Sequence, residues 1–350
     1  MPAFHLLPPF ALGTPVKPEL FINRVEELRQ IDWSLTSNRH VLIAGPRRIG
    51  KTSTLIKQYH LINEFNSWAA QKIFVARRYY FIESRKNLLD LFRGLVLDIC
   101  RETLEQVLGL DMIALKAHQI RDLKDSVSND RRTLLEIYEI LKSDRSISVT
   151  KGNKYGVEAY AVGTKESSET VAYDNLSPDY IDLQSMLDKV LAELAEREYK
   201  SVVLFIDDIN GNLDLLLSKE GTQLLQVLAE KRISIVATVW KEILATKKLD
   251  NLAFLDIVEL GPFKSSKDIK ELLELYTSAA HFSGKVLSFS DSVVDLILDL
   301  THGHPQFIQE ICYRCYEEGY RLKIKEVSAE IVYKVAFEVF RKSADLYRQV

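Results

Sequence analysis

The chain has 350 residues, 47% of them hydrophobic and 27% charged, with a formal net charge of −3. That length exceeds one compact core and implies a larger and a smaller domain, while the balanced charge excludes a protein built wholly around a polyanion and leaves room for a local basic patch. No apolar run approaches the ~20 residues of a membrane helix, the first residues lack the pattern of a signal peptide, and three cysteines (Cys100, Cys312, Cys315) cannot build a disulfide framework, so a reducing, cytoplasmic setting is expected.

Residues 1–20, punctuated by Pro8, Pro9, Pro15 and Pro18, read as an extended arm. Phe21 to Thr36 has helical spacing, with Val25, Leu28, Ile31 and Leu35 on one side. His40 to Ala44 is a short apolar run ending at Gly45, hence a buried strand, and Lys51 to Phe65 is helical again. Further strands are expected at Ile73–Ile82, Val202–Ile206, Ile233–Val239 and Asp256–Leu260, with helices at Leu183–Glu198 and Thr222–Glu230 between them. Strands alternating with helices predict an α/β fold with a parallel five-stranded sheet covered on both faces. The connection from the second to the third strand is far longer than the dozen or so residues a crossover needs. Residues from about 85 to 200 therefore read as an accessory insert, with helices at Asn87–Leu108 and Arg131–Lys142. Within it, Ser146–Tyr173 reads as a β-hairpin turning near Lys151–Lys154. After Pro262 four helical stretches follow, Lys267–Ala280, Ser292–Leu300, Pro305–Tyr320 and Ser328–Lys342, with Asp291 and Ser328 as N-caps. The expected organisation is an arm (1–20), a core (21–263) and an all-helical lid (264–350).

The strongest chemical signal is Gly45-Pro46-Arg47-Arg48-Ile49-Gly50-Lys51-Thr52, followed by Ser53, between a predicted strand and a predicted helix. This is the P-loop pattern in the context it requires. Glycines let the backbone curl so that successive N–H groups point at phosphate oxygens, and the helix adds its positive end. Lys51 is expected to neutralise the β- and γ-phosphates, and the Thr52 hydroxyl to ligate Mg²⁺. The strand Val202–Ile206 runs into Asp207-Asp208. Asp207 is expected to hold Mg²⁺ through water, and Asp208 to orient or deprotonate the attacking water, unless it only caps a turn. Thr238, at the end of the fourth strand, either reaches the γ-phosphate or pairs within the sheet. The guanine-reading Asn-Lys-x-Asp pattern would follow that strand, where Trp240-Lys241-Glu242 stands, so ATP/ADP is expected over a guanine nucleotide.

These residues resemble the STAND and AAA+ branches of P-loop ATPases, from about Phe21 to Tyr320. Besides the P-loop and Asp207-Asp208, Phe21-Ile22-Asn23-Arg24-Val25-Glu26-Glu27 resembles the STAND entry motif, with Asn23 in place of Gly and Val25 in place of the first Glu. Gly303-His304-Pro305 resembles the Gly-x-Pro motif of the lid. The resemblance implies a P-loop core with a helical lid, Ile22 and Arg24 near adenine, and His304 and Pro305 touching nucleotide from the lid. It also implies a nucleotide switch whose core and lid pack differently with ADP and ATP, acting through a protein partner or self-assembly. Two departures stand out. Lys241 to Phe254 holds no arginine where an AAA+ ring needs its finger, and Val239-Trp240-Lys241 lacks the arginine that STAND proteins often carry. Arg232 is the substitute candidate. Slow intrinsic ATP hydrolysis is therefore expected, because such an arginine contributes ~10³ or more in rate. The alternatives are a DNA-associated AAA+-type loader or transposition regulator that oligomerises on DNA, and a nucleotide-stabilised scaffold without turnover. A membrane partner is not expected.

Three other signals read as structure. Cys312-Tyr313-Arg314-Cys315 sits within a helix without a second Cys pair, and His302-Gly303-His304 lacks further ligands at metal spacing. Lys151, Lys154 and Lys165 with Tyr155 and Tyr160 form a hairpin face that Glu158, Glu166 and Glu169 dilute, leaving nucleic acid open as a partner.

Overall fold

The computed structural model describes residues 10–78, 87–142, 148–150, 170–172, 180–247, 254–278 and 287–347. A 3₁₀ turn at Pro18–Leu20 precedes α1 (Val25–Thr36), β1 (His40–Gly45), α2 (Lys51–Trp68) and β2 (Lys72–Arg78). Next come α3 (Leu88–Leu108), α4 (Ala117–Ser126), α5 (Asn129–Lys142), β3 (Ser148–Thr150), β4 (Thr170–Ala172), α6 (Tyr180–Glu196) and β5 (Tyr199–Ile206). The core ends with α7 (Leu213–Leu217), α8 (Lys219–Glu230), β6 (Ile233–Trp240), α9 (Lys241–Leu244) and β7 (Leu255–Glu259). The C-terminal part holds α10 (Ser266–Thr277), β8 (Ser288–Phe289), α11 (Asp291–Thr301), α12 (Pro305–Leu322), β9 (Glu326–Val327) and α13 (Ala329–Tyr347).

The five long strands form one parallel sheet in the order β2-β5-β6-β1-β7. The central strands β1 and β6 and the second half of β5 are buried on both faces, which is why they read as continuous apolar runs. Leu42, Ala44, Phe74, Leu204 and Ile235 face one way, into a core shared with α3, α5, α6 and α8. Val41, Ile43, Val75, Phe205 and Val236 face the other, against Ile31 of α1 and Leu55 and Ile62 of α2. A separate core fills the helical part, where Ile269, Tyr276, Ile297, Ile308, Tyr316 and Val332 pack together. Cys312 and Cys315 are fully buried there, and burial holds both thiols well above their ordinary range.

Several expectations change. The helices of the long connection are not an outlying accessory: Leu91 and Leu95 of α3, Ile137 of α5 and Leu187 of α6 belong to the sheet's own core. A crossover from β2 to the adjacent parallel β5 must cover the sheet, and these helices do so. The β3–β4 pair is antiparallel, with Thr150 opposite Thr170, and the turn expected near Lys151–Lys154 lies outside the described residues. Residues 151–169, with the lysines and tyrosines singled out above, lie outside the described residues, as do residues 79–86. The first helix starts at Val25 instead of Phe21, because Asn23 and Arg24 take left-handed backbone (φ 58° and 66°). Val25, expected on the apolar side, is exposed in that first turn. Ser290, not Asp291, precedes α11 as its N-cap.

β6 lies between β1 and β5, so the carboxyl ends of these three strands meet at one edge. Gly45, Asp207 and Thr238, distant in sequence, are thereby brought together at the switch point where α/β sheets receive ligands.

Candidate nucleotide site

The loop from Gly45 to Gly50 is shaped by its glycines. A Cβ on Gly45 would come within 2.8 Å of the Ile49 side chain and 3.0 Å of the Leu260 carbonyl oxygen. Gly50 has φ +102°, and Arg48 is also left-handed at φ 62°. This backbone curls into the start of α2, whose N-cap Gly50 supplies no side-chain cap. The first N–H groups of α2 thus lack helical partners and face the site, an arrangement suited to phosphate. The Lys51 ammonium donates to the carbonyls of Gly45 (2.9 Å) and Pro46 (2.7 Å). Burial lowers its pKa, opposed by the negative charges of Glu242, Asp208 and Asp207.

The Thr52 hydroxyl donates to both oxygens of Asp207, at 3.1 and 3.0 Å. The Thr238 hydroxyl donates to Asp207 Oδ1 at 2.6 Å and accepts from the Asp208 N–H at 2.7 Å. Thr238 is 1% exposed. In this structure its hydroxyl proton is directed at Asp207. Asp208 is left-handed at φ 59°, and its carboxylate accepts a hydrogen bond from the Asn210 amide. Asn210 Oδ1 in turn accepts the Trp240 N–H at 2.9 Å. Asn210 went unnoticed in the sequence, where nothing distinguishes it from a turn residue. Trp240 carries the Arg47 guanidinium over its ring, 4.0 Å from the centroid.

Arg232 is excluded from this site. It precedes β6, so about 20 Å of strand separates it from Thr238.

The helical part closes the site from above. His304 Nε2 lies 3.2 Å from the Arg47 carbonyl oxygen, and burial lowers the pKa of its ring. Gly303 is left-handed (φ +71°), and a Cβ there would meet the Phe263 carbonyl at 2.0 Å. The Gly303 carbonyl accepts the Phe263 N–H at 2.8 Å, pinning the lid turn to the linker after β7. Arg24, 6% exposed, donates to the carbonyls of Ile49 (3.4 Å) and Gly261 and pairs with Glu27 at 3.0 Å. It thus ties the P-loop to the linker while also lining the cavity.

The arm supplies a third wall. Its Val16 N–H donates to the Ser53 hydroxyl at 3.0 Å, and its Ala11 N–H to Gln309 Oε1 at 3.2 Å. Phe10 stacks on Tyr276 with ring centroids 4.9 Å apart, inside the lid core. Core, arm and lid together enclose a cavity of about 720 Å³. At one end stand Lys51, Thr52, Asp207 and Asp208; at the other, apolar Val16, Leu20, Ile22, Phe263 and Leu272, with Pro305 beside them. This volume and polarity suit a nucleotide with its base in the apolar half. The hydroxyl and carboxylate oxygens of Thr52 and Asp207 are the hard donors Mg²⁺ prefers.

No family model matches this chain, and no curated protein matches it by sequence. Three solved structures have a similar chain course, each at 14% identity. Orc1 of Aeropyrum pernix in complex with DNA has a TM-score of 0.47 and covers 95% of this chain and 70% of its own. RuvB of Thermotoga maritima, a Holliday junction branch migration motor, has a TM-score of 0.39 and covers 90% and 69%. A Walker-type ATPase of Pyrococcus abyssi has a TM-score of 0.42 and covers 96% and 78%. Among the described residues no helix is long and apolar enough to cross a membrane, and no three His, Cys, Asp or Glu side chains stand together as a metal centre.

Proposed function

We propose that this protein is a Mg²⁺-dependent, ATP-binding molecular switch with slow intrinsic hydrolysis. The observation that carries this reading is the position of the cavity: its phosphate end belongs to the core and its opposite wall to the lid and arm. Whatever fills it bears on how the two pack. Lys51 and the first N–H groups of α2 hold the phosphates; Thr52 and Asp207 would hold Mg²⁺, which would supply positive charge against that of the phosphates. Asp208 accepts a proton from water as the water oxygen bonds to the γ-phosphorus. The bond from that phosphorus to the β–γ bridging oxygen breaks, its electron pair stays with ADP, and phosphate leaves. His304, bound to the carbonyl of Arg47, makes the lid sensitive to the P-loop's conformation. Adenine is favoured over guanine because Trp240-Lys241-Glu242 stands where the guanine-reading pattern would follow the fourth strand.

The test is light scattering of the full chain with ADP, with a non-hydrolysable ATP analogue, and with the analogue plus duplex DNA. Lys51→Ala, which loses the phosphate-binding ammonium, is the control. The switch reading expects the analogue alone to change the particle's size or compactness relative to ADP. A change that requires DNA transfers the role to a DNA-associated loader, and identical particles with ADP and analogue refute a switch acting through packing or assembly.

A further inference from the structure

A phosphate site of this kind gains from an arginine that balances charge building on the transferred phosphoryl group, and the stretch from Lys241 to Phe254 just after the fourth strand holds none. The cavity itself is lined by Arg24, Arg47 and Arg48. Arg24 is engaged with Glu27 and with the Ile49 and Gly261 carbonyls. Arg47 differs. Its backbone sits between Gly45 and Lys51, the segment that wraps the terminal phosphates. Its guanidinium makes a stacking contact over Trp240, 4.0 Å from the ring centroid, and Arg47 is otherwise exposed. Trp240 is the last residue of β6, two beyond Thr238, and its N–H is held by Asn210, the same side chain that holds Asp208. The guanidinium therefore rests at the Asp208 end of the cavity, where the attacking water and the γ-phosphate would meet.

We propose that Arg47 is the charge-stabilising catalytic arginine of this site, supplied in cis by the P-loop, and that Trp240 is its resting perch. With a triphosphate bound, the guanidinium leaves the indole for the γ-phosphate oxygens. With a diphosphate it stays. A cation–π contact is weak beside a charge-assisted bond to phosphate, so the exchange is favourable only when the γ-phosphate is present. The His304 contact to the Arg47 carbonyl passes this movement to the lid. The inference rests on the nucleotide-binding reading above.

The sequence contains three tryptophans, and Trp33 and Trp68 are exposed and lie outside the cavity. Replacing both (Trp33→Phe, Trp68→Phe) leaves Trp240 as a single emitter. The expected result is an emission change with Mg²⁺ and a non-hydrolysable ATP analogue, none with Mg²⁺-ADP, and none with either in the Arg47→Ala background. Single-turnover hydrolysis in Arg47→Ala should fall about 100-fold or more while ADP affinity stays within about threefold, and Arg47→Lys should recover part of the rate. Equal Trp240 responses to ADP and analogue, or unchanged hydrolysis in Arg47→Ala, overturns the assignment even though nucleotide binds. Failure of the wild-type chain to bind either nucleotide by calorimetry overturns the nucleotide reading, and the assignment with it.

Discussion

The role of Thr238 can be decided by replacing it with valine, which keeps the shape and removes the hydroxyl. That hydroxyl donates to Asp207 at 2.6 Å and accepts the Asp208 N–H at 2.7 Å, in a position 1% exposed. A hydrogen bond to a charged group is worth about 1.5–3 kcal/mol, and an amide left buried without a partner costs about 1–3 kcal/mol. One side chain makes both bonds, and the Asp207 carboxylate keeps Thr52, so we expect Thr238→Val to cost about 3 kcal/mol in urea unfolding. Because Asp207 loses the group that orients it, Mg²⁺-dependent affinity for ADP should fall about 10–100-fold, as when a support behind a metal ligand is removed. Thr238→Ser should restore both. ADP is the informative ligand because it has no γ-phosphate. If Thr238→Val is as stable as wild type, binds Mg²⁺-ADP normally and is impaired only with ATP, the positioning argument is wrong and the hydroxyl serves the γ-phosphate.

Four further outcomes are expected. Asp208→Asn should bind ATP yet accumulate uncleaved nucleotide in a quench assay; normal turnover would remove Asp208 from the chemistry. Gly303→Ala, with its Cβ directed at the Phe263 carbonyl from left-handed backbone, should cost about 3 kcal/mol in urea unfolding; a neutral result would mean the lid turn is not pinned as described. Phe10→Ala should cost about 3 kcal/mol and expose the arm to limited proteolysis; an unchanged digestion pattern would show that Phe10 does not anchor it. His40, bonded to Leu225 and Ile235, has its pKa lowered by burial to about 4 against 6.5 in the open chain. The unfolded chain therefore takes up the proton first as pH falls. Stability present above pH 6.5 should drop by about 2 kcal/mol by pH 5 and about 3 kcal/mol below pH 4. His304, also lowered, adds in the same direction. A urea midpoint flat from pH 7 to 5 would contradict this.

The P-loop was legible because its signal is local: an apolar strand, glycines and a helix start within a short stretch, each forced by backbone geometry. The parallel sheet was equally readable, since strands buried on both faces are apolar throughout. What escaped reading depends on pairing across the sheet. Thr238 could be placed at a strand end but not next to Asp207, because that neighbourhood comes from the β5–β6 register, which pairs Ile206 with Ala237. Arg232 looked usable for the same reason; which end of β6 faces the site is not written near it. Asn210 is chemically ordinary until Asp208 and Trp240 lie on either side of it. Val25 fitted the helical period but is the first residue of α1, directly after left-handed Asn23 and Arg24, and stands exposed. The connection after β2 seemed accessory because length alone does not reveal that α3 and α6 cover the sheet.

The bond between Ala11 and Gln309 spans 298 positions of sequence, and Phe10 stacks on Tyr276. During synthesis the arm emerges long before its docking surface exists. The sheet can form once β7 has left the ribosome, but one wall of the nucleotide cavity must wait for α12. Closure at such separation is slow relative to local pairing. An unfinished chain would therefore offer a formed P-loop without its cover, and Phe10 would be free to engage other apolar surfaces until the last helices arrive.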